Sequence, residues 1–169
     1  VLLERDEVLN QQGKPYSVFT PYKRAWLQKL DDFQRKPYPV ECYAQRLAPL
    51  HKGEHIPSLE AIGFGNAPLP HGVPIGSAGA QQVLERFVPQ MGAYAETRDF
   101  PAQAGTSLLS VHLRLGTLSI RQVAEVVWAL ASQGSEGAQT WLAQLAWRDF
   151  YFMILWFRPD VVDRCYRPE

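Results

Sequence analysis

The chain has 169 residues, 46% of them hydrophobic and 20% charged, which is the make-up of a folded globular unit and excludes a disordered segment. Its 17 basic and 17 acidic residues cancel, so a surface for nucleic acid has to be a local patch rather than a bulk field. Cys42 and Cys165 lie far apart and outside any CxxC spacing, which argues against a disulfide framework or a zinc site. With no signal peptide and no uncharged apolar run of about 18 residues, the chain reads as cytoplasmic.

Residues 1–19 read as a strand remnant and a turn, with "NQQGKPY" as punctuation and "SVFT" as a short extended piece. The opening on Val1 and the closing "DRCYRPE" just past an apolar helix read as cut ends of a longer protein. Thr20 before Pro21 predicts an N-cap and a first helical turn, and "YKRAWLQKL" continues as a helix with Tyr22, Trp26, Leu27 and Leu30 on one side. From Gln34 to Gly76 prolines and glycines are dense, the mark of a long linker lying on a surface.

Helical periodicity returns at Gly79. Val83, Leu84, Phe87, Met91 and Tyr94 recur at spacings near three and four, with Pro89 as a predicted kink. In "AGTSLLSVHLRLGTLSIRQV" a short helix stops at Gly116 and a second starts behind Ser119. After the polar "GSEGAQ", the stretch from Thr140 to Asp160, "TWLAQLAWRDFYFMILWFRPD", forms a last helix that holds three of the five tryptophans. The second half is predicted to be all-helical.

On a wheel of 100° per residue, Trp141, Gln144, Trp147, Arg148 and Tyr151 share one arc of that last helix, opposite Leu142, Ala146, Phe150, Met153, Ile154 and Phe157. One face is core. The other combines flat rings with an amide and a guanidinium, which suits a wall that stacks on a planar ligand and hydrogen-bonds its edge. A helix buried on both sides, with Arg148 paired to a neighbouring carboxylate, explains the same periodicity.

Thr106, Ser107 and Ser110 gather near a helix start, either as caps or as a seat for an anion. Arg98, Arg114, Arg121 and Arg148 together would make the local positive strip. Arg98 and Asp99, where a helix gives way to a loop, also read as a local ion pair. His51 and His55, four apart but around Gly53 in the linker, read as surface residues and not as metal ligands.

In order and spacing, "YSVFTPYKRAW", "YAETRDFPAQAGTSLLSVHLRLGTLSIRQV" and "WLAQLAWRDFY" resemble the DNA photolyase and cryptochrome family, most of all its bacterial members that repair cyclobutane pyrimidine dimers. The resemblance implies a mainly α fold. Residues 1–19 would be the tail of an α/β antenna domain, 20–78 an interdomain helix and linker, and 79–169 the first half of the helical domain that binds FAD and DNA. It assigns Tyr94, Thr106, Ser107, Leu108, Leu109, Ser110 and Trp141 to the flavin. Arg98, Gln144, Trp147, Arg148 and Tyr151 face the DNA, with Trp147 stacking on the flipped-out dimer.

The implied chemistry is light-driven. Reduced FAD donates an electron to a pyrimidine dimer in UV-damaged DNA, the ring splits and the electron returns, with the protein supplying binding and orientation. The intact parent would be a monomer with an antenna chromophore of folate or deazaflavin type. The family's later helices, which complete the flavin pocket, are not in this sequence, so the chain alone is expected to bind FAD weakly and to repair nothing.

Gln144 stands where repair enzymes of this group usually carry Glu, Leu108 where Arg is common and Val111 where Pro is common. An amide keeps hydrogen bonds but supplies neither proton nor charge. The resemblance therefore also admits a cryptochrome-like flavin photosensor that signals through a protein partner. A helical interaction module without flavin is a third reading.

Overall fold

A computed structural model of the chain describes residues 1–49, 55–65 and 74–167. It is mainly α-helical. The helices are α1 (Phe19–Lys29), α2 (Asp32–Arg35), α3 (Gly76–Phe87), α4 (Tyr94–Thr97), α5 (Ser110–Leu115), α6 (Ile120–Ser132) and α7 (Glu136–Phe157). Short 3-10 turns lie at Val40–Arg46, Glu60–Ile62, Val88–Ala93 and Pro159–Val162. Among the described residues no helix is long and apolar enough to cross a membrane.

The spine is α7, 22 residues long. It starts at Glu136, ahead of the expected Thr140, because Gly134 turns the chain at φ 89° and the Ser135 hydroxyl accepts the Ala138 N–H at 3.3 Å. "EGAQ" is thus its first turn and not a loop. Its buried residues, among them Ala138, Trp141, Leu145, Asp149, Phe150 and Met153, recur at three and four and form one continuous face. Against α7 pack α6, α1, α4 and the Val88–Ala93 turn.

Helix α1 begins one residue before the expected cap. Val18 is the N-cap and Thr20 lies inside the helix. Pro21 falls in the first turn, where its missing N–H removes no intrahelical bond. The buried line of α1 is then Phe19, Tyr22, Trp26 and Leu30, while Leu27 sits at the edge of the face, 36% exposed.

Pro89 does not kink one helix. It ends α3 at Phe87 and opens the 3-10 turn that leads into α4. Gly137 allows this turn to meet α7, since a Cβ there would lie 2.0 Å from the Met91 carbonyl oxygen.

Residues 1–19 carry turns and one isolated bridge, Leu9 to Pro15, where a strand remnant was expected. The Asn10 side chain accepts the Gln12 and Lys14 N–H groups at 2.9 and 3.0 Å, and Gly13 turns at φ 71°. Pro15 has no N–H with which to extend a ladder. Leu2, Leu3 and Val8 nevertheless enter the same core as the helices. Of the stretch expected to be a linker, Val40–Arg46 has no buried residue. His55 is exposed, and His51 lies outside the described residues.

Candidate functional site

The mixed face of α7 is half open. Gln144, Trp147 and Arg148 are half-buried and Tyr151 is 56% exposed. Trp147 is already engaged within the chain: its ring lies face to face with Phe19, centroids 3.6 Å apart and planes 9° apart. It also stacks on Tyr151 at 5.4 Å and meets Phe150 edge-on at 5.6 Å. The Gln144 amide donates to the Thr140 carbonyl at 3.4 Å.

Among the described residues Arg148 pairs with no carboxylate, unlike the expectation for a helix buried on both sides. Its Nη2 donates to the Leu113 carbonyl of α5 at 3.3 Å, and the guanidinium lies 4.7 Å from the Phe152 ring centre. Nη1 is buried and finds no partner among the described residues. The two helices enclose a cleft of about 290 Å³ lined by Ser110, Arg114, Arg148, Tyr151, Phe152 and Leu155. Residues assigned from the sequence to two different ligands, Ser110 on one side and Arg148 with Tyr151 on the other, thus share one opening.

The segment before α5 is a turn, and α5 begins only at Ser110. The Ser107 hydroxyl accepts the Leu109 N–H at 3.4 Å, Leu108 adopts φ 54° with its side chain 67% exposed, and Leu109 is buried in the core. Thr106, Ser107 and Leu108 line a second cleft of about 180 Å³ with Arg86, Phe87 and Gln90. Gly105 brings this turn against α4, since a Cβ there would lie 2.6 Å from Thr97.

Tyr94 and Trp141 are deeply placed, 8% and 4% exposed. Both contact Phe87, Tyr94 edge-on at 5.9 Å and Trp141 tilted at 6.0 Å. Burial raises the Tyr94 phenol above the usual tyrosine value, partly offset by the Arg98 charge. Arg98 pairs with Asp99 at 3.3 Å at the end of α4 and lies 5.6 Å from the Tyr94 ring centre.

The single positive strip is not formed. Arg121 donates to the Gln34 carbonyl at 2.6 Å and covers the Tyr38 ring at 4.6 Å, pinning the chain just past α2. Of the four arginines, Arg114 and Arg148 share a cleft.

Three residues escaped the sequence reading. Arg86 joins the Thr106 cleft from α3 and carries no local signal. Phe19 fell in the segment read as extended, although its i, i+3, i+7 spacing to Tyr22 and Trp26 marks it as helical. Asp149 is 2% exposed in mid-helix, and a lone acid inside an apolar run was its signal. Its Oδ2 accepts from Leu2 N, Leu3 N and Trp26 Nε1 at 2.9, 3.2 and 3.1 Å. Burial still raises its pKa above the ordinary carboxylate value. Among the described residues no group of three His, Cys, Asp or Glu is placed to hold a metal ion.

Comparison with known proteins finds photo-lyases similar to this helical segment along nearly its whole length. The chain is 36% identical, over 96% of its length, to 34% of the deoxyribodipyrimidine photo-lyase of Alkalihalophilus pseudofirmus. It is 33% identical, over 96% of its length, to 35% of that of a Synechococcus species. Against the Escherichia coli enzyme it is 32% identical over 95% of its length, covering 34% of that protein. No family model and no solved structure matches. Along nearly its whole length the chain is similar to deoxyribodipyrimidine photo-lyases, and it spans about a third of the length of these curated relatives.

Proposed function

We propose that this chain supplies one side of a flavin seat and one wall of a lesion pocket in a light-driven photolyase that splits cyclobutane pyrimidine dimers in DNA. The observation that carries the reading is the α5/α7 cleft, where Ser110 and Arg114 face Arg148 and Tyr151. The Arg148 guanidinium lines this cleft and meets no carboxylate among the described residues, and the phosphates of FAD are bidentate-capable acceptors for such a group.

The chain's own residues bind and orient. The hydroxyl of Ser110 and the guanidiniums of Arg114 and Arg148 hold the anionic part of FAD, and Thr106, Ser107 and Leu108 line the adjoining turn. Tyr94 and Trp141 close the seat from the core. When bound, reduced FAD supplies light-driven one-electron chemistry. Trp147 offers its ring to an extruded base, as photolyases require of their target nucleotide. Gln144 hydrogen-bonds a lesion without supplying a proton, and Arg98 contacts the DNA.

In this reading residues 1–19 are the end of an antenna domain, 20–78 a linker and 79–169 the first half of the helical domain. An antenna chromophore of folate or deazaflavin type belongs to the parent protein. Similarity to the photo-lyases along nearly the whole chain supports the reading.

Titration of the chain with FAD, followed by quenching of flavin and tryptophan fluorescence, tests it. Saturable quenching that Ser110→Ala and Arg148→Ala both weaken is expected. Binding unchanged in both variants overturns this placement of the flavin.

A further inference from the structure

We infer that Phe19 is a positioning residue for Trp147, holding the indole in one plane before any nucleic acid arrives. The inference rests on the reading that Trp147 meets the lesion. Its warrant is the stack itself, with centroids 3.6 Å and planes 9° apart, between two half-buried residues 128 positions apart. Phe19 fills one face of the indole, Tyr151 stacks on it at 5.4 Å and Phe150 meets its edge at 5.6 Å, so a base joins an aromatic wall made of Trp147 and Tyr151 together. A base that adds to the wall finds a ring that has already lost its rotational freedom, so less ordering accompanies binding.

Phe19 can do this because it is itself held. It lies in the first turn of α1 and packs edge-on against Phe150 at 5.8 Å. One and two turns further along, Tyr22 and Trp26 are buried to 2% and 0% exposure. Trp26 donates to Asp149, two residues from Trp147 on α7. The pair of helices is therefore fixed by a hydrogen bond on one side of Trp147 and by the ring stack at Trp147, and neither contact needs a ligand.

The test measures the affinity of the chain for a short oligothymidylate carrying one cyclobutane dimer and for the same oligomer undamaged. Phe19→Leu is expected to lower the ratio of the two by about 3- to 10-fold, the size of an aromatic pair's contribution beyond buried area. Affinity for the undamaged oligomer stays near wild type, the urea midpoint falls by no more than the loss of one aromatic pair explains, and Phe19→Tyr restores the ratio. Without DNA, acrylamide quenching of the Trp147 signal, taken as wild type minus Trp147→Phe, rises in Phe19→Leu. If Phe19→Leu proves too unstable to purify, Phe19→Met replaces it. A ratio lowered by Trp147→Ala but unchanged or raised in the Phe19 variant overturns the inference alone. A chain with no preference for the dimer, or one that Trp147→Ala leaves unchanged, overturns the reading beneath it as well.

Discussion

Trp26 donates its indole N–H to the Asp149 carboxylate at 3.1 Å, joining α1 to α7 across 123 residues of sequence. The same oxygen accepts the backbone N–H groups of Leu2 and Leu3. One buried carboxylate thus ties the N-terminal segment and the first helix to the helix that carries Gln144, Trp147 and Arg148. The other oxygen, Oδ1, is buried without a partner among the described residues.

Asp149→Ala leaves three donors without an acceptor and should destabilise the fold by about 3 kcal/mol or more, at roughly 1–3 kcal/mol for each stranded buried group less what relaxation recovers. Asp149→Asn keeps an oxygen for them and should cost far less. Urea midpoints of the two variants separate the cases, and equal losses would mean that the charge, not the acceptor, holds the junction.

The pH dependence has a definite sign. Burial raises the Asp149 pKa from 3.8, and the hydrogen bonds from Trp26, Leu3 and Leu2 only partly oppose it. Between the unfolded and folded values the native state holds the extra proton, so stability from this group is full below the unfolded value and is lost as pH rises through the folded one. The empty Oδ1 is where that proton fits without disturbing the bonds to Oδ2. Stability measured upward from pH 3.8 should therefore carry a falling component that Asp149→Asn removes. An identical pH profile in that variant would contradict it.

The helical second half was legible because amphipathic spacing and glycine stops are local signals, as at Gly116, where the chain turns at φ 71°. The start of α1 was not, since Thr20–Pro21 is as good a cap-and-first-turn signal as any, and only packing of Phe19 on Trp147 decides for the earlier start. The arginines show the same limit. Sequence proximity grouped Arg114 with Arg121, but Arg114 opens on a cleft shared with α7 while Arg121 reaches the Gln34 carbonyl and the Tyr38 ring, which no local pattern relates.

Gly137→Ala should destabilise the chain by about 1–3 kcal/mol, the usual cost of overpacking. Its Cβ would meet backbone, the Met91 oxygen at 2.0 Å and the Gly92 oxygen at 2.3 Å, which cannot rotate away as a side chain can. A thermal melt compared with Gly92→Ala, where nothing lies within 4 Å, provides the control. Equal melting temperatures would show that the turn slides freely on α7.

Arg114 and Arg121 should answer differently to the same change. Arg114 is exposed at the α5/α7 cleft, where the proposed function seats the phosphates of FAD, so Arg114→Gln should weaken FAD binding by about 10-fold or more, the scale of a charge-assisted hydrogen bond. Stability stays near wild type, because no hydrogen bond within the described residues is lost. Arg121 is half-buried and committed to the Gln34 carbonyl and the Tyr38 ring. Arg121→Gln should leave FAD affinity unchanged and reduce stability by about 1.5–3 kcal/mol, the range for a charge-assisted hydrogen bond. FAD titrations and urea melts on both variants read the two effects independently. FAD affinity that falls only in Arg121→Gln would place the anionic group over Gln34 and Tyr38 instead of over α5 and α7.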